Sequence, residues 1–187
     1  KDLTNLIFKR TTWCASSTHE GEEYISMAVH NILKKKYRNF LSIIIPRHIH
    51  RVNEIVNEIE KLNLKVCCHS SSNKNLGDID IYIVDTFGET KKFHKLASSV
   101  FLGGSIVNRG GQNPLEAARF GAKIFHGPNT DNFKDVYKLL KDFKISKKIN
   151  TPTQLAWNKK LKIPKDVHYY KYKRKYPHHG TGKWILF

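Results

Sequence analysis

The chain has 187 residues with 33 Lys and Arg against 16 Asp and Glu, a formal net charge of +17. That length allows one compact domain plus an appendage, and the charge points to polyanions or an anionic membrane surface as neighbours while saying little about fold. Three cysteines, Cys14, Cys67 and Cys68, exclude a disulfide scaffold, and no apolar run approaches the roughly 18 residues that cross a bilayer.

Taken in chain order, apolar runs of strand length alternate with longer stretches at helical spacing, the pattern of parallel strands joined by crossover helices. "TTWCASS" predicts a strand, and "THEGEEYISMAVHNILKKK" a helix with Thr18 as N-cap, acids in its first turn and Lys34 to Lys36 in its last. "FLSIIIP" predicts a buried strand closed by Pro46. "HRVNEIVNEIEKLN" predicts an amphipathic helix with Val52, Ile55, Val56, Ile59 and Leu62 on one face. "LKVCCHS" and "IDIYIVD" predict strands around the loop "SSNKNLGD". "ETKKFHKLASS" follows as a short helix, "VFLGG" as a strand and "NPLEAARFG" as a helix stopped by Gly121. "AKIFHGP" and "FKDVYKLLKDF" add a last strand and helix. The fold class expected is α/β, a Rossmann-like doubly wound parallel sheet over 1–155. Residues 156–187 are expected to form a basic, aromatic and poorly ordered C-terminal extension, since 151–187 hold nine Lys or Arg, one acid and seven aromatics.

In such sheets ligands sit beyond the carboxyl ends of the strands, where loops enter helices. Four loops belong at that edge. "PRH" ends a strand with Arg47 behind Pro46, a fork of donors for a phosphate or carboxylate, or a surface side chain lying along its neighbours. "DTFGE" offers a tight turn at Gly88, flanked by Phe87 and Glu89, either an ordinary turn or backbone groups for a flat ring. "FLGGSIVNRGGQNPLEAARFG" places Gly103, Gly104, Gly110 and Gly111 ahead of a helix predicted to start at Asn113, with Pro114, Leu115 and Glu116 in its first turn. Glu116 either completes a capping box with Asn113 or accepts ribose hydroxyls. In "SSTHEGEE" the acids read as ordinary dipole partners and His19 as a structural histidine, the alternative being a donor to an anionic sugar or phosphate. No zinc spacing, phosphate-binding lysine loop or serine elbow is present, so no metal site and no metal-dependent, ATPase or hydrolase chemistry is expected.

"ASSTHEGEE", "IIPRH", "DTFGE" and "FLGGSIVNRGGQNPLEAARFGAKIFHGPNTDNF", in this order, resemble the Kdo transferases. These enzymes move 3-deoxy-D-manno-oct-2-ulosonic acid (Kdo) from CMP-Kdo to lipid A precursor in lipopolysaccharide biosynthesis. The resemblance runs from about Trp13 to about Leu140. It implies the C-terminal, nucleotide-sugar-binding half of a GT-B glycosyltransferase, with Pro46, Arg47, Phe87, Gly88, Glu89, Asn113, Pro114, Leu115 and Glu116 contacting CMP. It also implies an inverting transfer without a cofactor, using a general base in an N-terminal domain, so that no catalytic residue is expected in this chain and the segment alone is expected to be inactive. The first residue, Lys1, fits a piece of something longer. Partners implied are CMP-Kdo, lipid A precursor, the N-terminal GT-B domain and an anionic membrane surface, with no specific nucleic acid, at the cytoplasmic face of the inner membrane of Gram-negative bacteria. Phe87 stands where the family usually has Met, and Gln112 where it usually has His. The alternatives from other classes are a non-catalytic basic module for RNA or anionic membrane, which the charge favours, and a GT-B enzyme using a UDP-sugar.

Overall fold

Apolar runs such as Phe40–Pro46, broken only by Ser42 and buried at all seven positions, fit strands covered on both faces. A computed structural model describes residues 3–72, 76–151 and 154, and the proposed tail lies outside them, as does its boundary at 155/156. Along the chain the elements are α1 (Leu3–Phe8), β1 (Thr11–Thr18), α2 (Glu22–Lys34), β2 (Phe40–Pro46), α3 (Val52–Lys61), β3 (Val66–Cys68) and β4 (Ile81–Ile83). Then come α4 (Thr90–Leu96), β5 (Ser99–Leu102), α5 (Leu115–Arg119), β6 (Lys123–His126), α6 (Lys134–Asp142) and β7 (Ser146–Lys148).

The strands form one sheet in the order β3-β4-β2-β1-β5-β6-β7, and every pairing is parallel. From β1 the chain passes to β2, then to the edge strand β3, returns to insert β4 between β2 and β3, and crosses to the other side of β1 for β5, β6 and β7. This reversal puts a topological switch point between β1 and β5. Side chains alternate across the sheet as the strand period requires. Cys14, Ile43, Tyr82, Val100 and Ile124 pack in a cluster with Phe93, Ala117 and Leu140 from α4, α5 and α6. Trp13, Ala15, Ile44, Phe101 and Phe125 pack on the other face with Met27, Leu33, Ile55 and Ile59 from α2 and α3. The sheet is therefore doubly wound, as expected.

At the amino edge a buried polar chain ties the sheet to α2. Trp13 Nε1 donates to Ser42 Oγ at 2.6 Å, and His30 Nδ1 lies 2.9 Å from the same oxygen. His30 Nε2 approaches Asp80 Oδ1 at 3.4 Å, and that carboxylate accepts from Lys34 Nζ at 2.5 Å and from the Lys65 amide at 3.0 Å. Burial pushes the His30 pKa down to about 4, so the ring is neutral and its contact with Asp80 is not an ion pair. Burial works against the charge of Asp80, but the bonds from Lys34 and Lys65 outweigh it and hold its carboxyl below the ordinary range.

Two local expectations are corrected. Thr18 does not cap α2: it is the last residue of β1, fully buried and paired with Pro46 across a bulge at Ser17, whose φ is 55°. The helix starts four residues later, behind Gly21 at φ 88°. The capping box at Asn113 is only half formed. Asn113 Oδ1 accepts the Leu115 amide at 3.0 Å, but the Glu116 carboxylate turns toward His94 and Lys91 instead of back to Asn113.

Candidate functional site

All the loops singled out in the sequence leave the carboxyl ends of parallel strands, so they share one edge of the sheet. What organises this edge is a residue the sequence reading passed over. Glu22, with no exposed surface, begins α2 and directs its carboxylate across the switch point into the loop after β5. Oε2 accepts the amides of His19 at 3.0 Å and Gly104 at 2.7 Å; Oε1 accepts those of Ser105 at 3.2 Å and Ile106 at 2.9 Å. Four otherwise unpaired N–H groups are satisfied by one side chain, which is how a carboxylate tolerates burial. The nearest signal in the sequence was two acids after "THEG". Its partners beyond His19 lie 82 to 84 residues away, out of reach of any local pattern.

The loop after β5 is packed to its limit. Gly103 donates to Ser16 O at 2.8 Å, and a methyl group on it would collide with the Ser17 carbonyl. Gly104 is left-handed at φ 65° and is bound by Gly111 N at 2.9 Å, which folds the loop back on itself. Further along, Tyr137 Oη donates to Gln112 O at 2.8 Å.

Around the end of β1 the predicted residues fall into two groups. In the first, Pro46 is buried at the end of β2, and the amide of exposed Arg47 donates to Thr18 O at 2.9 Å. The His48 ring stands 5.6 Å from that of His19. Burial lowers the His19 pKa, Glu22 opposes this, and the neighbouring His48, Arg109 and Arg47 lower it further. His19 therefore stands among basic side chains from the loops after β2 and β5.

In the second group, Phe87 is 86% exposed, Gly88 is left-handed at φ 82°, and Glu89 pairs with Lys92 at 3.4 Å as α4 begins. That loop stands beside the start of α5, where Pro114 is buried and Asn113 and Leu115 are exposed. Glu116 lies 3.9 Å from Lys91 and 3.8 Å from His94 Nδ1. Burial pushes the His94 pKa down to about 4, so the ring is neutral and the carboxylate is not tied up in an ion pair with it. His94 Nε2 lies 2.9 Å from Ser16 Oγ, which links this group back to β1. The two groups thus flank one strand end, the first through Thr18 and His19 and the second through Ser16; Arg47 and Glu116 do not touch each other.

Among the described residues no three His, Cys, Asp or Glu side chains gather as a metal site, and no helix is long and apolar enough to cross a membrane.

An all-parallel, doubly wound sheet with its glycine-rich loops gathered at a switch point defines an α/β domain of the Rossmann-like class. The same fold is found in the crystal structure of the C-terminal CMP-Kdo binding domain of WaaA from Acinetobacter baumannii, with a TM-score of 0.76 over 81% of this chain and 79% of that one, at 24% identity. In sequence the chain is a homologue of the 3-deoxy-D-manno-octulosonic acid transferases. It is 32% identical to that of Haemophilus influenzae over 131 residues, 70% of this chain and 31% of the relative. With the Rickettsia typhi protein it shares 38% identity over 123 residues, 66% of this chain and 26% of the relative. The chain therefore spans between a quarter and a third of the length of these relatives. No protein-family model matches it.

Proposed function

We propose that this chain is the donor-binding half of a Kdo transferase, which holds CMP-Kdo while Kdo passes to a lipid A precursor. What supports this reading is that Arg47, Gly88 and Glu116, far apart in sequence, follow β2, β4 and β5 at the carboxyl edge of one sheet, with Arg47 bonded to Thr18 and Glu116 linked through His94 to Ser16. In the assignment that follows, Arg47 grips the phosphate of CMP and Pro46 sets its loop. Phe87 and the backbone of Gly88 and Glu89 face the cytosine, and Glu116 accepts the ribose hydroxyls from a helix start shaped by Asn113, Pro114 and Leu115. An exposed Phe ring supplies apolar area for a base, and Glu116, beside a neutral His94 and 3.9 Å from Lys91, keeps acceptor capacity for hydroxyls.

In the transfer, a carboxylate of the N-terminal GT-B domain takes the proton from an acceptor sugar hydroxyl. That oxygen forms a bond to the anomeric carbon of Kdo on the face opposite the phosphate, and the bond to CMP breaks with inversion. The electron pair leaves on the phosphate, so this half has to hold a growing anion, a task suited to Arg47. No cofactor takes part in this scheme. The acceptor places the enzyme at the cytoplasmic face of the inner membrane, where an excess of Lys and Arg suits anionic lipid.

Calorimetry with CMP and UDP tests this. Wild type is expected to bind CMP in preference to UDP, and Arg47→Ala and Glu116→Gln each to weaken CMP by about tenfold or more, the worth of one charge-assisted hydrogen bond. Unchanged CMP affinity in both variants removes these residues from the site, and a preference for UDP transfers the chain to another donor.

A further inference from the structure

We propose that Glu23 and Arg51 are positioning residues: their buried ion pair fixes the loop after β2 that presents Arg47, as Glu22 fixes the loop after β5. The inference deepens the donor-binding reading and rests on it for the part Arg47 plays.

The geometry starts from two adjacent acids. Glu22 and Glu23 open α2, which leaves the end of β1, and β1 lies between β2 and β5. Neighbouring residues on a helix point about 100° apart, so two acids in a row can serve the loops on either side of one strand. Glu22 reaches toward β5 and accepts the amides of Gly104, Ser105 and Ile106. Glu23 reaches toward β2: its Oε1 accepts from Arg51 Nη1 at 3.1 Å, with the two side chains only 4% and 15% exposed.

The loop so held runs from Arg47 to Arg51 and is tied at both ends. At its start the Arg47 amide donates to Thr18 O at 2.9 Å. At its finish the chain closes in a 3-10 turn, Ile49–Arg51, where the Arg51 amide donates to His48 O at 3.1 Å and Ile49 packs half-buried against the core. The guanidinium of Arg51 then locks onto Glu23, and its Nε lies 3.4 Å from the exposed Glu54. Between the ties, Arg47 and His48 are exposed. The loop is thus anchored where it joins the domain and open where a ligand would meet it.

Desolvation offsets much of the attraction in a buried ion pair, so what such a pair supplies best is a fixed geometry. Burial raises the Glu23 pKa; Arg51 opposes this, and the Thr18 hydroxyl stands beside the carboxylate without completing a hydrogen bond. With the pair cut, Arg47 sits on a loop whose backbone has to be ordered when an anion binds, on top of its own long side chain. The sign of the effect separates this from plain electrostatics. Glu23 is a carboxylate close to an anion site, so loss of its charge alone favours CMP. Loss of the support it gives Arg47 disfavours CMP.

The test uses the full 187-residue chain with CMP and cytidine as probes. Glu23→Gln is expected to weaken CMP by about tenfold, the entropy of roughly one backbone residue, and to leave cytidine affinity unchanged. With Arg47→Ala already in place, the same substitution is expected to change CMP affinity by less than about twofold, because the pair acts through Arg47. Arg51→Gln breaks the pair from its less buried side and is expected to behave alike, so the test survives a Glu23 variant that does not fold. Exchange of the Arg47 amide is expected to quicken about tenfold in Glu23→Gln, while that of Gly104, held by Glu22, keeps its rate. If CMP affinity in Glu23→Gln is unchanged or higher, or falls equally with Arg47 already replaced, the positioning role is overturned while the donor reading stands. If the wild-type chain does not bind CMP, the donor reading fails and exchange at Arg47 decides: a quickened amide upholds the hold of the pair on its loop, and an unchanged one overturns it.

Discussion

Replacing Glu22 by Gln changes one oxygen into an NH2 group and leaves the shape of the side chain intact. In the native chain each oxygen accepts two backbone amides. Whichever way the new amide turns, its nitrogen faces two N–H donors, either those of His19 and Gly104 or those of Ser105 and Ile106. A buried donor stripped of its acceptor costs about 1–3 kcal/mol, so two such groups cost about 2–6 kcal/mol before the loop relaxes. For a domain whose whole stability is of the order of 5–15 kcal/mol, that is a large fraction. Urea unfolding at pH 7, followed by circular dichroism, is expected to show the midpoint falling at unchanged slope, with a loss of about 3 kcal/mol. Amide exchange at Gly104, Ser105 and Ile106 is expected to quicken in the same variant. A loss smaller than about 0.5 kcal/mol, the range of an ordinary surface substitution, would refute the organising role given to this carboxylate.

Stability is also expected to depend on pH through His30 and His94, both buried and both with pKa values pushed down to about 4. Below about pH 6.5 the unfolded chain takes up protons that the native rings refuse, so stability is level above that pH and falls as it drops toward 4, by at most about 3 kcal/mol for each ring. Urea midpoints that stay constant between pH 7.5 and 4.5 contradict this. At Gly103, substitution by Ala drives a methyl group into the Ser17 carbonyl and to 2.8 Å from Glu22 Oε2. A loss of about 2 kcal/mol or more is expected, whereas Gly21→Ala meets nothing within 4 Å and bears only the strain of φ 88°, about 1 kcal/mol. Equal melting temperatures for the two variants would show that crowding at Gly103 is not what selects glycine there.

Legibility in the sequence followed the range of the interactions. Phe40–Pro46 was read to the residue because a strand buried on both faces is almost continuously apolar, here broken only by Ser42, and α3 because Val52, Ile55 and Ile59 repeat at helical spacing. β7, Ser-Lys-Lys, carries no apolar signal and owes its pairing to β6 alone. α1 was likewise not foreseen. Thr18 resembled an N-cap because Thr followed by acids is the usual start of a helix, but pairing with Pro46 extended the strand through it. His19 and Glu22 looked ordinary for the same physical reason: what makes each one special is a loop that begins more than 80 residues later.

Among the described residues the sheet ends on one side in β7, three residues long, with Lys147 and Lys148 both on the surface. A boundary strand of that kind is a poor template for another chain, since an incoming strand finds few rungs to join and meets ammonium groups where it would have to lie flat. On that side, copies of the domain can be crowded together without their sheets joining edge to edge.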